Sequence, residues 1–292
     1  TTEIYTLSLH DALLISNMSN RYTETDTESY YDAEDGIYRA VWDEEGSVHW
    51  GVFDESTGGD FLKASANLNH IMVDKGLIGE DARVLDLGCG NGTTAIWLSK
   101  AHGCQVTGVD LSGVRVDNAN KARLNQPSDL QDRLAFEKAS ATELPFEDGA
   151  FTHVWSQAVI YHVHDKAAAL KEAYRVLCDG GIMVFDDLTK PQPDISPDGQ
   201  EYVYSRLLYD TDFSFHSYQD ALRNEGFEVL DAQDLSEHLK TSYLALAERT
   251  PKGEGEHAEH FQLLTTAYQE TAKISDEHTS ELQSRAYLVC CL

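Results

Sequence analysis

Three glycines at alternate positions directly follow an apolar segment, and this spacing is suited to binding a nucleotide-like ligand. The glycines are Gly88, Gly90 and Gly92, and the apolar segment spans 84–87. Glycine adopts the backbone conformations of a tight turn and lets a ligand approach the main chain closely. The N–H groups at the start of a following helix then face that ligand. The pattern predicts a strand, a glycine-rich turn and a helix around a bound cofactor.

An acidic residue farther along the chain fits the same site. Asp110 stands twenty residues past Gly90 and ends a second strand-like segment, 105–110. In open α/β sheets an acid at this place hydrogen-bonds the hydroxyls of a ribose. Its two carboxylate oxygens suit a bidentate contact with both hydroxyls. We therefore expect the adenosine part of a cofactor to lie between the glycine turn and Asp110.

Apolar strands and amphipathic helices alternate through the middle of the chain. Strands are predicted at 83–87, 105–110, 134–138, 151–156, 182–187 and 227–232, and helices at 60–75, 92–102, 112–125, 165–178, 216–225 and 234–249. This order is typical of an α/β fold, in which a parallel sheet carries helices on both faces. The polar segment 19–35 lacks such a pattern, and we expect it to be loosely ordered until a ligand binds.

The charge of the chain is strongly acidic and limits the choice of partners. The 292 residues include 50 acidic and 22 basic side chains, which gives a net charge of −28. Such a surface repels nucleic-acid phosphates and anionic membranes, so the expected partner is a small molecule and neither nucleic acid nor a membrane. No apolar run approaches the length of a transmembrane helix. These features favour a cytoplasmic protein adapted to high salt, with an ordinary acidic enzyme as the alternative.

The five cysteines form no recognisable metal or disulfide pattern. None belongs to a C-x-x-C pair, and their number is odd. We therefore expect neither a bound metal nor a disulfide framework.

Several motifs together resemble those of class I S-adenosylmethionine-dependent methyltransferases. Segment 86–92 has the pattern D-x-G-x-G-x-G, which differs from the G-x-G-x-x-G of NAD sites. Asp110 and segments 144–146 and 175–181 match later motifs of the family. The resemblance implies a mostly parallel seven-stranded sheet flanked by helices, with S-adenosylmethionine as the cofactor. We expect an N-terminal helical cover at 18–80, a core at 81–250 with a lid insert at 188–213 after strand five, and a C-terminal helix at 251–275.

The same resemblance implies which residues hold the cofactor. Asp110 would bind the ribose, and Gly88 and Gly90 would lie against the methionyl part. Family members often carry an aspartate near position 140 for the adenine amino group, but this chain has Ser140 there. Backbone groups or the Ser140 hydroxyl would then have to take that place. The expected cofactor-binding residues are Asp86, Gly88, Cys89, Gly90, Asp110, Leu111, Ser140, Ala141, Thr142, Ser156 and Gln157.

Further segments indicate which methyltransferases within this class the chain resembles. Segment 155–162 resembles the strand-four region of sarcosine/dimethylglycine methyltransferases and, more distantly, that of phosphoethanolamine methyltransferases. Segments 37–42 and 48–53 fit the N-terminal cover of the first group, whereas Ala158 departs from both families, which usually have aspartate there. The resemblance implies methyl transfer to a small amine such as sarcosine or dimethylglycine, as in glycine betaine synthesis.

His162 and Tyr31 are the expected catalytic residues. By the phosphoethanolamine resemblance, His162 would act as a base or orient the acceptor, and Tyr31 would close over the cofactor. Arg206 in the lid insert would bind an acceptor carboxylate, because a guanidinium binds carboxylates in a bidentate manner. Tyr161 and Tyr204 would complete the acceptor site.

Two other functions fit the same motifs. A C- or O-methyltransferase acting on a quinone- or tocopherol-like molecule would need a more apolar pocket than Tyr204 and Arg206 suggest. A protein that binds S-adenosylmethionine without catalysis would keep the same glycine turn and Asp110. The chain is expected to be a monomer or a homodimer.

The two ends of the chain differ from the rest in character. Segments 5–13 and 276–285 resemble translated sequencing-adapter read-through. We therefore expect 1–17 to be a non-native extension and 276–292 to be a non-native tail. Within this tail, 286–292 is apolar and prone to form a strand. It either takes the place of the last strand of the sheet or leaves a strand edge open.

Overall fold

A mixed sheet lies at the centre of the computed structural model, which describes residues 22–44, 47–190, 196–208, 213–252, 257–274 and 284–292. Its strands in these ranges are β1 (Arg83–Leu87), β2 (Gln105–Asp110), β3 (Leu134–Lys138), β4 (Phe151–Gln157), β5 (Leu177–Thr189), β6 (Glu228–Asp234) and β7 (Ser284–Cys291). Their order across the sheet is β3-β2-β1-β4-β5-β7-β6. Strands β1 to β5 are parallel, and β7 is antiparallel to both of its neighbours. The predicted α/β fold is confirmed.

Helices connect the strands, and several of them begin or end at capping residues. Those of ten residues or more in the described ranges are α1 (Glu24–Val41), α2 (Phe61–Gly76), α3 (Thr93–His102), α4 (Gly113–Leu124), α5 (Lys166–Val176), α6 (Phe215–Glu225), α7 (Ser236–Arg249) and α8 (Ala258–Ile274). Asp60, Ser112 and Asp165 each accept a hydrogen bond from a backbone N–H in the first turn of α2, α4 and α5. Gly103 and Gly226 end α3 and α6 in the left-handed conformation. Among the described helices, none has the length and apolar character needed to cross a membrane.

Helix α1 departs from the expectation based on composition and agrees with the helical cover that the family resemblance implies. The expectation that 19–35 is loosely ordered is wrong for the described residues, because α1 begins at Glu24. A capping box starts the helix: the Thr23 hydroxyl accepts from the Asp26 N–H, and the Asp26 carboxylate accepts from the Thr23 N–H. The helix then buries Asp35, Tyr38 and Val41 on one face. Tertiary contacts along that face stabilise a segment whose composition alone favours disorder.

The two faces of the sheet carry separate apolar layers. Successive side chains of β1 point to opposite faces of the sheet. Val84 therefore lies in the layer beneath α2, α3 and α4, and Leu85 lies in the layer beneath α5 and α6. A third apolar cluster joins the N-terminal cover to α7 and α8 and includes Trp42, Trp50 and Tyr243. This third cluster fixes the cover against the carboxyl edge of the sheet.

Strand β7 fills the gap between β5 and β6. It pairs with both strands along most of its length. Val289 is 2% exposed and lies in one apolar layer, and Cys290 is 0% exposed and lies in the other. The apolar segment at 286–292 therefore takes the place of the last strand and covers edges that β5 and β6 would otherwise expose.

We expect Val289→Asp to destabilise the fold severely, because it places an unpaired carboxylate in a closed apolar layer. The free energy of unfolding should fall by on the order of 3–5 kcal/mol, measured by urea denaturation. Leu230→Asp is the matched control, since Leu230 on β6 is 54% exposed, and it should change stability by less than about 0.5 kcal/mol. Equal stability of the two variants would show that β7 does not lie inside the sheet.

Candidate functional site

A cleft of about 1190 Å³, including its open mouth, lies at the carboxyl ends of β1, β2 and β4. This is the edge at which open α/β sheets bind ligands. Helix α1 covers it from one side, and the turn after β4 closes it from the other. The predicted site residues that line it are Tyr31, Asp86, Gly88, Cys89, Gly90, Asp110, Leu111, Ser140, Ala141, Gln157, Tyr161 and His162.

The glycine turn brings bare backbone to the floor of the cleft. Gly88 and Gly90 have φ angles of 77° and 53°, which favour glycine. A Cβ atom on Gly88 would lie 2.3 Å from a methyl carbon of Val159. The N–H groups of Gly88 and Cys89 donate to the Val109 carbonyl at 2.8 and 2.9 Å, which ties the turn to β2. The turn thus requires glycine both for its conformation and for its close packing.

Asp110 organises the loops on both sides of it. Its Oδ2 accepts the Gly90 N–H at 2.8 Å, and its Oδ1 accepts the Ser112 N–H at 2.8 Å. Burial raises the pKa of this carboxyl, while Arg115 and the two N–H donors act in the opposite direction. A carboxylate oxygen accepts about two hydrogen bonds, so each oxygen keeps acceptor capacity for a ribose hydroxyl.

Asp86 is a buried acid at the bottom of the cleft. It is 3% exposed, and its Oδ2 has no hydrogen-bond partner among the described residues. Burial and the nearby charge of Asp110 raise its pKa to about 7. An unpartnered buried carboxyl oxygen that lines a cleft is suited to a ligand that donates a hydrogen bond.

Tyr31 and His162 form a hydrogen-bonded pair over the cleft. The Tyr31 hydroxyl lies 2.5 Å from His162 Nε2, and His162 Nδ1 lies 3.4 Å from the Leu208 carbonyl oxygen. Burial lowers the pKa of His162 to about 3, so the imidazole is neutral near pH 7. With Nδ1 donating to the carbonyl, Nε2 accepts from the phenol. Burial also raises the pKa of Tyr31, so this phenol keeps its proton.

A buried ion pair docks α1 onto α4. The Arg115 guanidinium lies 3.4 Å from the Asp35 carboxylate, with both side chains 9% exposed. Asn91 and Asn118 donate to the same carboxylate at 2.8 and 3.2 Å. Arg115 also stacks over the Tyr31 ring, 4.1 Å from its centroid. This contact places the phenol of Tyr31 toward His162.

Four predicted site residues lie outside the lining of the cleft. Thr142 stands behind Ser140 and hydrogen-bonds its hydroxyl at 2.8 Å. Ser156 is buried within β4. Tyr204 is buried in the third apolar cluster, and Arg206 is buried with its guanidinium over the rings of Tyr243 and Tyr268 of that cluster. Residues 191–195 and 209–212 of the lid insert lie outside the described ranges.

Sequence reasoning missed several residues of the cleft. Arg115 follows the Asp110 strand by five positions, and a basic residue in that first helical turn is a signal that could have identified it. Glu24 and Glu28 also line the cleft. No local pattern marks them, because they lie on α1 and reach the site only through the tertiary fold.

Asp35→Ala should loosen α1, because it leaves the buried Arg115 guanidinium and the Asn91 amide without their acceptor. Breaking a buried pair in this way costs on the order of 3–5 kcal/mol, so the α1 amides should exchange with deuterium at least roughly tenfold faster. Ser29→Ala, at an exposed position of the same helix, is the control and should leave exchange unchanged. Unchanged protection in Asp35→Ala would contradict the docking role of the pair.

Comparison with known proteins places the chain in a family. The family described as "Methyltransferase domain" matches residues 85–185. The 27-O-demethylrifamycin SV methyltransferase of Amycolatopsis mediterranei is 31% identical over 75% of this chain and 79% of its own length. The sarcosine/dimethylglycine N-methyltransferase of Halorhodospira halochloris is 27% identical over 93% of this chain and 96% of its own length.

Solved structures share the fold. The geranyl diphosphate C-methyltransferase of Streptomyces coelicolor, in complex with S-adenosyl-L-homocysteine, has a TM-score of 0.73 and 16% identity. The similarity covers 92% of this chain and 97% of that one.

Three features of the cleft fit S-adenosylmethionine. The glycine turn leaves room for the methionyl part, Asp110 has acceptor capacity for the ribose, and Asp86 lines the same cleft with one carboxyl oxygen that has no partner among the described residues. The matched family, the relatives and the fold agree with this geometry. The chain therefore belongs to the class I S-adenosylmethionine-dependent methyltransferases.

Proposed function

We propose that this enzyme methylates the nitrogen of a small amino acid such as sarcosine or dimethylglycine. The observation that carries the proposal is the environment of Arg206, a guanidinium buried beside the cleft. The side chain is 6% exposed, and its Nη1 has no hydrogen-bond partner among the described residues. A buried cation that has no carboxylate partner in the described part of the chain is suited to an anionic ligand.

The immediate partners of Arg206 are aromatic and neutral. Its Nε donates to the Tyr202 carbonyl at 2.8 Å, and its Nη2 donates to the Tyr243 hydroxyl at 3.4 Å. The guanidinium carbon lies 5.5 and 5.3 Å from the ring centroids of Tyr243 and Tyr268. Burial by itself would lower the pKa of Arg206. The surrounding phenols have the larger combined effect and raise this pKa above its ordinary value. The residue therefore stays cationic and keeps a donor for a substrate carboxylate.

Access from the cleft to Arg206 depends on α1. Tyr30 and Tyr38 of that helix share a hydrogen bond of 2.8 Å between their hydroxyls, and Tyr38 lines the cleft. We propose that a small displacement of these phenols lets a substrate carboxylate reach the guanidinium. The amine of the same molecule would then face Tyr31 and His162, and the aromatic wall of Trp42 and Trp50 would attract the methylammonium product.

The Tyr31–His162 pair is suited to orient the acceptor rather than to deprotonate it. Bound S-adenosylmethionine supplies an activated methyl group on a sulfonium sulfur. A histidine whose pKa is lowered to about 3 is a poor base for an ammonium ion. We propose that the amine enters in its neutral form and that the Tyr31 oxygen, whose proton is donated to Nε2, accepts an N–H of sarcosine. The nitrogen lone pair then stays free to face the methyl group.

The relative from Halorhodospira halochloris supports an amino-acid acceptor, since its match extends over 93% of this chain. A second candidate is O-methylation of a larger apolar molecule. The aromatic cleft wall favours it, and so does the 31% identity to the rifamycin methyltransferase. That acceptor would gain nothing from the charge of Arg206.

Calorimetric titration of the protein saturated with S-adenosylhomocysteine tests the acceptor class. Dimethylglycine should bind at least roughly tenfold more tightly than 2-dimethylaminoethanol, which has the same amine but no carboxylate. Arg206→Met should abolish this preference. Arg223→Met is the control, because Arg223 lies on the exposed surface of α6 beside Asp220.

Two outcomes would contradict the proposal. Arg206→Met could keep the preference for dimethylglycine, or the wild-type complex could bind neither amine. In the second case, binding of an apolar alcohol to the same complex would support the O-methyltransferase.

The pH dependence of the rate separates orientation from base catalysis. With sarcosine as acceptor, kcat/KM should rise with pH toward the pKa of the free amine, without a break between roughly pH 5.5 and 7.5. Tyr31→Phe should lower kcat/KM by roughly ten- to a hundredfold and keep the same profile, because it removes an orienting hydroxyl. Tyr174→Phe, on the outer surface of α5, should match wild type. A break near pH 6.5 that disappears in His162→Gln would instead identify His162 as the base.

A further inference from the structure

The cleft has a distinct end beyond Asp110, where the base of the cofactor belongs. Its walls there are Leu111, segment 139–141 and the first turns of α1 with Glu24 and Glu28. An adenine ring in this place presents an exocyclic amino group with two donors. A buried donor needs an acceptor, and a partly exposed one is bound more tightly when the acceptor is charged.

The Ser140 hydroxyl is not available as that acceptor. It donates its one proton to Glu24 Oε1 at 2.5 Å. It also accepts the Thr142 N–H at 3.1 Å and contacts the Thr142 hydroxyl at 2.8 Å. A serine hydroxyl has one donor and two lone pairs, so these three contacts use its full capacity. Its role is to hold Glu24.

Glu24 retains acceptor capacity at this end of the cleft. Its bonded oxygen is Oε1, which receives the Ser140 proton and lies 3.4 Å from the Thr142 hydroxyl. Its neighbour Glu28 pairs with Lys138. The capping box at Thr23 fixes the backbone of α1 directly before Glu24. The position of the Glu24 carboxylate is therefore fixed by the capped backbone of α1 and by the hydrogen bond from Ser140.

We propose that Glu24 accepts a hydrogen bond from the exocyclic amino group of the cofactor's adenine. A carboxylate of the cover helix α1 would thus recognise the adenine base, and Ser140 would be the positioning residue that holds this carboxylate. Glu24, Tyr31 and Asp35 stand at positions i, i+7 and i+11, which share one face of a helix. Binding of the base would therefore align the helix that also carries Tyr31. This inference does not depend on the identity of the methyl acceptor.

Titration with S-adenosylhomocysteine and S-inosylhomocysteine tests the proposal without any acceptor. The second ligand replaces the amino group with a carbonyl, which a carboxylate repels. Wild type should bind S-adenosylhomocysteine at least roughly tenfold more tightly. Glu24→Ala should bind it roughly tenfold more weakly and lose most of the discrimination. Glu24→Gln, whose amide can donate to a carbonyl, should bind S-inosylhomocysteine more tightly than wild type does.

Two control variants separate the effect of Glu24 from general effects of charge and of the helix. Glu248→Ala makes the same substitution at an exposed position of α7, and Ser29→Ala changes an exposed position of α1 without altering its charge. Both should keep the wild-type ratio of affinities. Thermal melting of each variant confirms that it is folded before titration. Wild-type discrimination in folded Glu24→Ala would overturn the proposal, and so would equal affinity of wild type for the two ligands.

Discussion

The carboxylate of Asp110 is the contact on which the geometry of the site depends. It accepts one N–H from the glycine turn after β1 and one from the loop that starts α4. Because the strands are parallel, these two loops lie side by side at one edge of the sheet. The loops themselves do not pair with each other there. Asp110 joins them, so the floor of the cleft and the loop that starts α4 are connected through one carboxylate. The position of Arg115, in the first turn of α4, follows from this contact.

Helix α1 then closes the cleft through polar contacts rather than apolar packing alone. Asp35 meets Arg115 and two asparagines, the Tyr31 hydroxyl meets His162, and Glu24 meets Ser140. A polar interface of this kind has defined partners and can release them when water enters. A methyltransferase must admit its cofactor and acceptor and then exclude solvent, and a helix held in this way suits both steps.

Burial affects the charged groups of the site differently, according to their neighbours. His162 lies among aromatic rings and loses its charge, whereas Arg115 keeps a carboxylate and Arg206 is surrounded by phenols. Desolvation penalises every buried charge, so the charge survives only where partners compensate. The result is a neutral Tyr31–His162 pair and two buried cations, of which Arg115 pairs with Asp35 of α1 and Arg206 lies over the rings of Tyr243 and Tyr268.

Local sequence determined the strands, most helix boundaries, the glycine turn and the place of Asp110, because each depends on residues close together along the chain. The D-x-G-x-G-x-G pattern and the periodicity of apolar residues act over a few positions, and they predicted the α/β fold correctly. Only the tertiary structure decided how α1 docks over the cleft, that β7 completes the sheet, and that Glu24 and Arg115 reach the cleft. These features depend on contacts such as that between Glu24 and Ser140, which are 116 residues apart. No local pattern encodes such contacts, since their free energy appears only when the chain has folded and brought both partners together.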